Sequence, residues 1–170
     1  YWYSRCDSAE EKASRAMEAL RHLPRPLILY TTERDDVGDW AERLRSEGYE
    51  RWKTMTGGSS SDHRQEVLRK WRNDQVDLVV ATSAFGLGVD KENVRAVVHA
   101  CLPESIDRYY QEVGRSGRDG KASVSLVAFT NKDVETAATI NNKKLISVEK
   151  GLERWQAMWG TQTHLQGRRY

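Results

Sequence analysis

Two short apolar runs decide the fold class of this chain: LILYT at residues 27–31 and DLVVAT at residues 77–82. Each has the length and the apolar composition of a strand that is buried on both faces. A helical pattern follows the first run, with apolar side chains at Val37, Trp40, Ala41 and Leu44. A buried strand followed by an amphipathic helix is the start of a βαβ unit, and such units predict a parallel sheet.

The same alternation extends outward from these two runs. A helix capped by Asp7 or Ser8 ends at the PRP of residues 24–26. Further strands are predicted around residues 49–55, 94–101 and 123–129. Two more helices are predicted: one capped by Ser61 or Asp62 with Val67, Leu68 and Trp71 aligned, the other capped by Ser105 with Ile106, Tyr109, Tyr110 and Val113 aligned. We therefore expect an α/β fold with ligands at the carboxyl ends of its strands.

The composition excludes several classes of protein. The 27 Lys and Arg nearly balance the 25 Asp and Glu, for a net charge of +2, so any contact with nucleic acid must be local. No apolar run approaches the roughly 20 residues that cross a bilayer, and we expect no membrane partner. The two cysteines, Cys6 and Cys101, are interpreted as reduced thiols in the cytoplasm. The histidines and cysteines lack zinc-ligand spacing, so no metal site is predicted.

The stretch QEVGRSGRDG at residues 111–120 places Arg115 and Arg118 among three glycines. On a continued helix, Gln111 and Arg115 share the face opposite the Tyr109 and Val113 stripe. One interpretation is a solvated helix end with exposed ion pairs among Arg108, Glu112, Arg115 and Asp119. The glycines favour another interpretation, in which a polyanion or a second domain approaches closely and the guanidinium groups bind phosphate oxygens.

The sequence lacks two glycine-rich motifs that bind nucleotides. AFGLGVD at residues 84–90 lacks the third glycine of a dinucleotide-binding fingerprint, because Lys91 stands there. Its glycines still allow close approach of a ligand, with Asp90 as an acceptor for hydroxyls; an ordinary tight turn is the alternative. The sequence contains no P-loop, so we do not expect these 170 residues alone to hydrolyse ATP.

The C-terminal part of the chain does not continue the alternation of strands and helices. Val148, Leu152, Trp155 and Trp159 line one face of a helix predicted at about residues 147–160. Such a helix packs on its own domain or docks a neighbour, and the first of these is the expectation. We expect one domain at residues 1–140, followed by a helical extension and polar tail at residues 141–170.

Three stretches together resemble motifs IV, V and VI of the RecQ-like ATP-dependent DNA helicases of superfamily 2. They are LILYTTER (27–34), VVATSAFGLGVDK (79–91) and YYQEVGRSGRDG (109–120). MTGGSSSDHRQEVLRKW at residues 55–71 is similar to the segment between them. The family's zinc module, expected after the last strand, has no counterpart here, which looks like a divergent branch of the kind linked to bacterial DNA modification or defence. The resemblance implies a RecA-like three-layer α/β/α sandwich, the second motor domain of such a helicase.

The resemblance also implies roles for individual residues. Arg115 matches the arginine finger toward the γ-phosphate of ATP, Arg118 matches the second motif VI arginine, and Gln111 matches a residue that couples this site to DNA. Gly88 and Asp90 match positions near the sugar of ATP. The positions implied for contacts to the DNA backbone are Thr82 and Ser83, with Arg34 and Arg64 as weaker candidates.

The implied ligands and partners follow from the same family. ATP with Mg²⁺ is expected, held mainly by a first RecA-like domain that carries the P-loop, and no zinc is expected in this chain. DNA, as a single strand or at a duplex junction, is the expected substrate. Two alternatives stay open: a non-catalytic nucleic-acid-binding or scaffolding module, and another superfamily 2 translocase that acts on RNA.

Overall fold

The chain forms one six-stranded sheet in which every pair of neighbouring strands is parallel. The computed structural model describes residues 1–83, 85, 91–143 and 148–162. The strands are β1 (Trp2–Arg5), β2 (Leu27–Tyr30), β3 (Trp52–Met55), β4 (Leu78–Ala81), β5 (Ala96–His99) and β6 (Val124–Phe129). Their order across the sheet is β1, β6, β5, β2, β4, β3, so β2 lies between β5 and β4 at the centre.

Helices cover both faces of this sheet. They are α1 (Ala9–His22), α2 (Arg34–Ser46), α3 (Ser61–Arg72), α4 (Ile106–Val113), α5 (Asn131–Lys143) and α6 (Val148–Gln162). The apolar faces of α1 and α2 pack on one side of the central strands, and those of α3 and α4 on the other. Alternate residues of a strand point to opposite faces, so Leu29 belongs to the first core and Ile28 to the second. The predicted three-layer α/β/α sandwich is confirmed.

The helix starts agree with the predicted caps in two cases of three. The side chains of Ser8 and Ser105 accept hydrogen bonds from the backbone N–H groups of Glu11 and Arg108, as N-caps do. The prediction of Ser61 or Asp62 as the cap of α3 is wrong. Ser60 takes that position and accepts a hydrogen bond from the His63 N–H. Three consecutive serines give the same signal, and only the backbone decides which of them is the cap.

Two elements were not predicted from the sequence. Strand β1 joins the edge of the sheet by pairing with β6, although WYSR carries no strand periodicity. Helix α5 follows β6 directly and is mostly exposed, so its sequence NKDVETAATINNK lacks a clear apolar stripe. It continues through residue 140, where the boundary between the domain and its extension was expected. That division stays a prediction.

The apolar faces of α4 and α6 differ from those predicted. Ile106 is 65% exposed and Tyr110 is also exposed, whereas Glu112 of the same helix is buried. In α6, Val148 and Leu152 are exposed and Trp155 is 55% exposed, so these side chains lie outside the core, and packing of α6 on the domain stays a prediction. Periodicity shows which residues share a face, but not what that face meets. Within the described residues, every helix is too short or too polar to cross a bilayer.

Candidate functional site

A cleft opens where the central strands end. It has a volume of about 170 Å³ and lies at the carboxyl ends of β2, β4 and β5, as parallel sheets predict for a ligand site. Its lining includes Thr31, Thr32, Ser83, Cys101, Glu104 and Glu112. Cys101 lies at its base, its thiol 3.7 Å from the Tyr30 carbonyl oxygen, and burial raises the pKa of that thiol to about 12.

The stretch at residues 111–120 is not the continuous helix that was predicted. Helix α4 ends at Val113 with Gly114 as its C-cap, and Arg115 and Arg118 both follow in a loop. Gln111, in the last turn of the helix, is exposed. The Arg118 Nε donates a hydrogen bond to the Gly114 carbonyl oxygen at 3.0 Å. The two arginines therefore lie on a loop that closes back on the end of the helix.

This loop is fixed against the residues that lead into β5. The Gly117 N–H donates to the Val94 carbonyl oxygen at 3.0 Å, and the Asp119 carboxylate forms an ion pair with Arg95. Gly117 has a φ of +66°, and a Cβ there would lie 2.9 Å from the Lys121 carbonyl oxygen, so only glycine fits. Hydrogen bonds from Arg95, and then from the Lys121 N–H, hold the pKa of Asp119 below its usual value. The interpretation of an exposed ion pair at the helix end is wrong for Asp119, whose partner Arg95 lies in the segment before β5.

Arg115 combines partial burial with an unused donor. Its Nε is buried and has no hydrogen-bond partner among the described residues. Its guanidinium lies near the Tyr30 hydroxyl: burial raises the pKa of Tyr30, the Glu112 carboxylate raises it further, and Arg115 and Arg108 lower it. A buried donor without a partner is unfavourable, and an anion is the chemical group that satisfies a guanidinium best. Arg115 therefore fits contact with a phosphate.

A buried carboxylate lies beneath this loop. Glu112 is 4% exposed, and its Oε1 accepts a hydrogen bond from the Arg108 Nε at 2.8 Å. Its Oε2 is 3.0 Å from the Nε2 of His99, which is fully buried at the end of β5. The exposed ion-pair interpretation is thus wrong for Glu112 as well. Its charge is compensated inside the domain.

Arg108 and Tyr30 connect this buried group to the segment after β4. A terminal nitrogen of Arg108 donates to the Ser83 carbonyl oxygen. The Tyr30 hydroxyl donates to the Phe85 carbonyl oxygen at 3.0 Å, and the Tyr30 ring stacks on the His99 ring with centroids 5.2 Å apart. The residues that surround Glu112 therefore hold the chain at Ser83 and at Phe85.

The positions predicted to contact DNA differ in their access to solvent. Ser83 is exposed at the end of β4, whereas Thr82 is 6% exposed and its N–H donates to the Met55 carbonyl oxygen at 3.2 Å. The burial of Thr82 argues against a direct contact by its side chain. Gly88 and Asp90, predicted near the sugar of ATP, lie outside the described residues.

Arg34 and Arg64 occupy the first turns of two neighbouring helices. Arg34 is the first residue of α2 and is exposed, and its guanidinium lies over Gly58 in the loop after β3. A Cβ at Gly58 would lie 2.7 Å from the Arg34 Nη1, so this loop passes close to the arginine. Arg64 lies in the first turn of α3 and is partly exposed. Both helices begin after a strand ends, so these arginines share the edge on which Ser83 lies.

Glu112, His99 and Tyr30 were missed as members of the site. One signal was available: Arg108 and Glu112 stand four apart on a predicted helix, which is the spacing of an ion pair. The sequence does not show that the pair is buried, because an acidic residue beside a solvent-facing glutamine is usually exposed. His99 and Tyr30 both lie in predicted buried strands, and the sequence gives no signal that either belongs to a site.

Comparison with known proteins identifies the family of this domain. Residues 11–120 match the family model of the helicase conserved C-terminal domain. The chain is 42% identical over 107 residues to the ATP-dependent DNA helicase RecQ of Bacillus subtilis, which is 63% of this chain and 18% of that protein. It is 33% identical over 140 residues to the probable ATP-dependent DNA helicase RecS of the same organism, which is 82% of this chain and 28% of that protein.

A vertebrate relative and two solved structures extend the comparison. Identity to the RecQ-like DNA helicase BLM of Xenopus laevis is 40% over 124 residues, which is 72% of this chain and 9% of that protein. The E. coli DEAD-box protein SrmB, solved with RraA bound, superposes with a TM-score of 0.71 at 23% identity, over 85% of this chain and 84% of that one. The C-terminal domain of the DEAD-box protein Dbp5 superposes with a TM-score of 0.66 at 18% identity, over 84% of this chain and 82% of that one.

These likenesses carry different weight. At such low identity, the two solved structures show the RecA-like fold alone. The sequence relatives are DNA helicases by name, the two from Bacillus subtilis ATP-dependent ones, and this chain spans less than a third of the length of each. The family model covers most of the chain, including both arginines of the loop after α4. The chain belongs to the helicase conserved C-terminal domain family, in its RecQ-like branch of superfamily 2.

Proposed function

We propose that this chain is the second motor domain of an ATP-dependent RecQ-like DNA helicase and that Arg115 is its arginine finger. In this proposal a first RecA-like domain supplies the P-loop and most contacts to ATP and Mg²⁺. A protein that contains both this chain and that first domain is called the two-domain protein below. The observation that carries the proposal is the buried Nε of Arg115, which has no partner among the described residues and belongs to a guanidinium near Tyr30, a residue that lines the cleft.

Each residue of the ATP-facing site in this chain has a separate role in this proposal. Arg115, held by the loop that Gly117 and Asp119 fix, places positive charge where charge develops on the transferred phosphoryl group. Arg118 adds a second positive charge on the same loop, and Gln111 lies on the exposed face beside it. ATP supplies the phosphoryl group and the free energy that closes and opens the cleft between the two domains. Gly88 and Asp90 are proposed near the sugar by their place in motif V.

DNA is proposed to bind along the neighbouring part of the carboxyl edge. Ser83 is the best placed of the predicted contacts because it is exposed there. Arg34 and Arg64 add positive charge in the first turns of α2 and α3, and each phosphate contact of this kind is salt dependent. Thr82 is the weakest of these candidates, since its side chain is buried and its N–H already donates to the Met55 carbonyl oxygen.

Replacing Arg115 tests the function directly. In the two-domain protein, Arg115→Ala should lower DNA-stimulated ATP hydrolysis by about 10³ to 10⁵, or roughly 4 to 7 kcal/mol of transition-state stabilisation. The Tm should change little, since the Nε of Arg115 has no hydrogen bond to lose among the described residues and the Tyr30 hydroxyl keeps its bond to the Phe85 carbonyl oxygen. Lys121→Ala is the matched control, because it removes one positive charge from an exposed position of the same segment. Near-normal turnover of Arg115→Ala would contradict the proposal.

The choice of nucleic acid is tested in the same assay. We expect oligo-dT to stimulate ATP hydrolysis more than oligo-U of the same length, as the names of the sequence relatives suggest. Stronger stimulation by oligo-U would favour a translocase that acts on RNA. No stimulation by either, in a protein that is folded, would favour the scaffolding module.

A further inference from the structure

We propose that Glu112 and Arg108 are positioning residues that hold Ser83 in register with Arg115, so that DNA contact at Ser83 is coupled to the phosphate-facing arginine. This inference rests on the proposed function and goes beyond it, because that proposal gives neither residue a role. The observations that carry it are the burial of Glu112 and the chain of polar contacts that leaves it in two directions.

The first step concerns the charge of Glu112. A carboxylate inside a domain is strongly unfavourable unless its oxygens are paired. Among the described residues, each oxygen of Glu112 has one hydrogen-bond partner, the Arg108 Nε at 2.8 Å and the His99 Nε2 at 3.0 Å. These contacts fix the carboxylate from two sides. Glu112 stands three residues before Arg115, so the end of α4 is fixed with it.

The second step concerns the reach of Arg108. Its guanidinium bonds Glu112 through Nε and the Ser83 carbonyl oxygen through a terminal nitrogen, so one planar group joins α4 to the segment after β4. A guanidinium offers donors in a rigid fork, and the two contacts are therefore made together. Movement of Ser83 relative to α4 has to break or bend one of them.

The third step concerns a second set of contacts, which Tyr30 makes with His99, Phe85 and Arg115. Tyr30 stacks on His99, donates its hydroxyl to the Phe85 carbonyl oxygen, and lies close enough to Arg115 for the guanidinium to act on its hydroxyl. The segment after β4 is thus held at Ser83 through Arg108 and at Phe85 through Tyr30. Both routes meet at the His99 and Glu112 pair.

Arg108→Lys is the decisive variant. The single ammonium group of lysine keeps a positive charge beside Glu112 but cannot also reach the Ser83 carbonyl oxygen. In the two-domain protein, the oligo-dT concentration that gives half-maximal ATPase should rise about tenfold, the factor expected for one lost charge-assisted hydrogen bond. The KM for ATP should stay at its wild-type value, and the Tm should fall by no more than the loss of one hydrogen bond explains. A merely structural role would weaken both ligands together.

A double-mutant cycle tests the coupling itself. Tyr30→Phe removes the hydroxyl that bonds Phe85 but keeps the stacking on His99. On our proposal, the hydrogen bonds at Ser83 and at Phe85 position the same segment and therefore depend on each other. The combined effect of Arg108→Lys and Tyr30→Phe on half-saturation by oligo-dT should then differ from the product of the single effects. Asp107→Asn, at an exposed position of the same helix, is the control and should change neither ligand.

The outcomes separate the two proposals. A wild-type two-domain protein without DNA-stimulated ATPase overturns the proposed function and this inference with it. Stimulated wild-type activity together with unchanged oligo-dT half-saturation in folded Arg108→Lys overturns only the inference. Strictly multiplicative effects in the double-mutant cycle also overturn it, because they would show that the contacts at Ser83 and at Phe85 act independently of each other.

Discussion

At the scale of single residues, Arg115 follows the end of α4 in a loop whose backbone bonds the residues that lead into β5. The sequence suggested that the glycines around it make room for a large ligand. The structure gives at least one of them another cause, since Gly117 has a backbone conformation and a close carbonyl neighbour that exclude a side chain. The glycines therefore shape the loop that carries the arginines.

Alanine at Gly117 should destabilise the domain more than alanine at Gly120. Both glycines have positive φ, so each change costs about 1 kcal/mol or more of unfolding free energy. Only at Gly117 does the new Cβ also lie 2.9 Å from a carbonyl oxygen, whereas nothing lies within 4 Å at Gly120. Denaturant unfolding of both variants measures the difference, and equal losses would contradict the loop geometry.

The ion pair of Asp119 with Arg95 gives a dependence on pH. Because the folded pKa of Asp119 is depressed, its stabilising effect is present above the unfolded pKa of about 3.9 and is lost as pH falls through the folded value. Asp119→Asn should therefore have a lower Tm than the wild type at pH 7, and the gap should close below about pH 4. Asp39→Asn, at an exposed position of α2, serves as control. A gap independent of pH would rule out the charge as its cause.

At the scale of elements, the sequence predicted the pieces that are buried and periodic. The central strands β2, β4 and β5 are apolar runs, and α1 and α2 have clear apolar stripes, so each was found close to its observed bounds. Strand β1 and helix α5 were missed because their residues are mostly exposed and their place depends on partners distant in sequence. Glu112 was missed for a related reason, since its burial depends on His99 of another element.

The start of α3 can be tested by two neighbouring substitutions. Ser60→Ala should cost about 1 kcal/mol of unfolding free energy, because its hydroxyl accepts the hydrogen bond from the His63 N–H. Ser61→Ala should be close to neutral, since Ser61 is the first helical residue and is exposed. Denaturant unfolding of both proteins distinguishes the caps. A larger loss for Ser61→Ala would restore the cap predicted from the sequence.

At the scale of the whole molecule, the all-parallel sheet gathers the candidate site onto one edge. Residues as distant in sequence as Arg34, Ser83 and Arg115 follow the carboxyl ends of strands or the helices next to them. The order of the strands across the sheet could not be predicted from the sequence. The edge at which the site lies could be predicted, because all strands of a parallel sheet have their carboxyl ends on the same side. The near balance of charges is consistent with a site made of a few placed arginines.

The 170 residues alone should bind ATP weakly. On our proposal they contribute arginines and a sugar contact, whereas the P-loop that holds the phosphates belongs to the first motor domain. Calorimetric titration with ATP and Mg²⁺ should show no saturable binding at micromolar nucleotide, and the two-domain protein should show it under the same conditions. Tight binding by this chain alone would contradict the division of the site.

The buried thiol of Cys101 makes the cleft measurable without any ligand. Because its pKa is raised to about 12 and its sulfur is covered, a thiol reagent can label it only in molecules whose cleft has transiently opened. With Cys6 replaced by serine, Cys101 is the one thiol left in the chain. In the two-domain protein, the rate of labelling at Cys101, followed by mass spectrometry of its peptide, reports how often this edge of the sheet opens, and oligo-dT should lower that rate. An unchanged rate would place the DNA on a surface that does not restrain this edge.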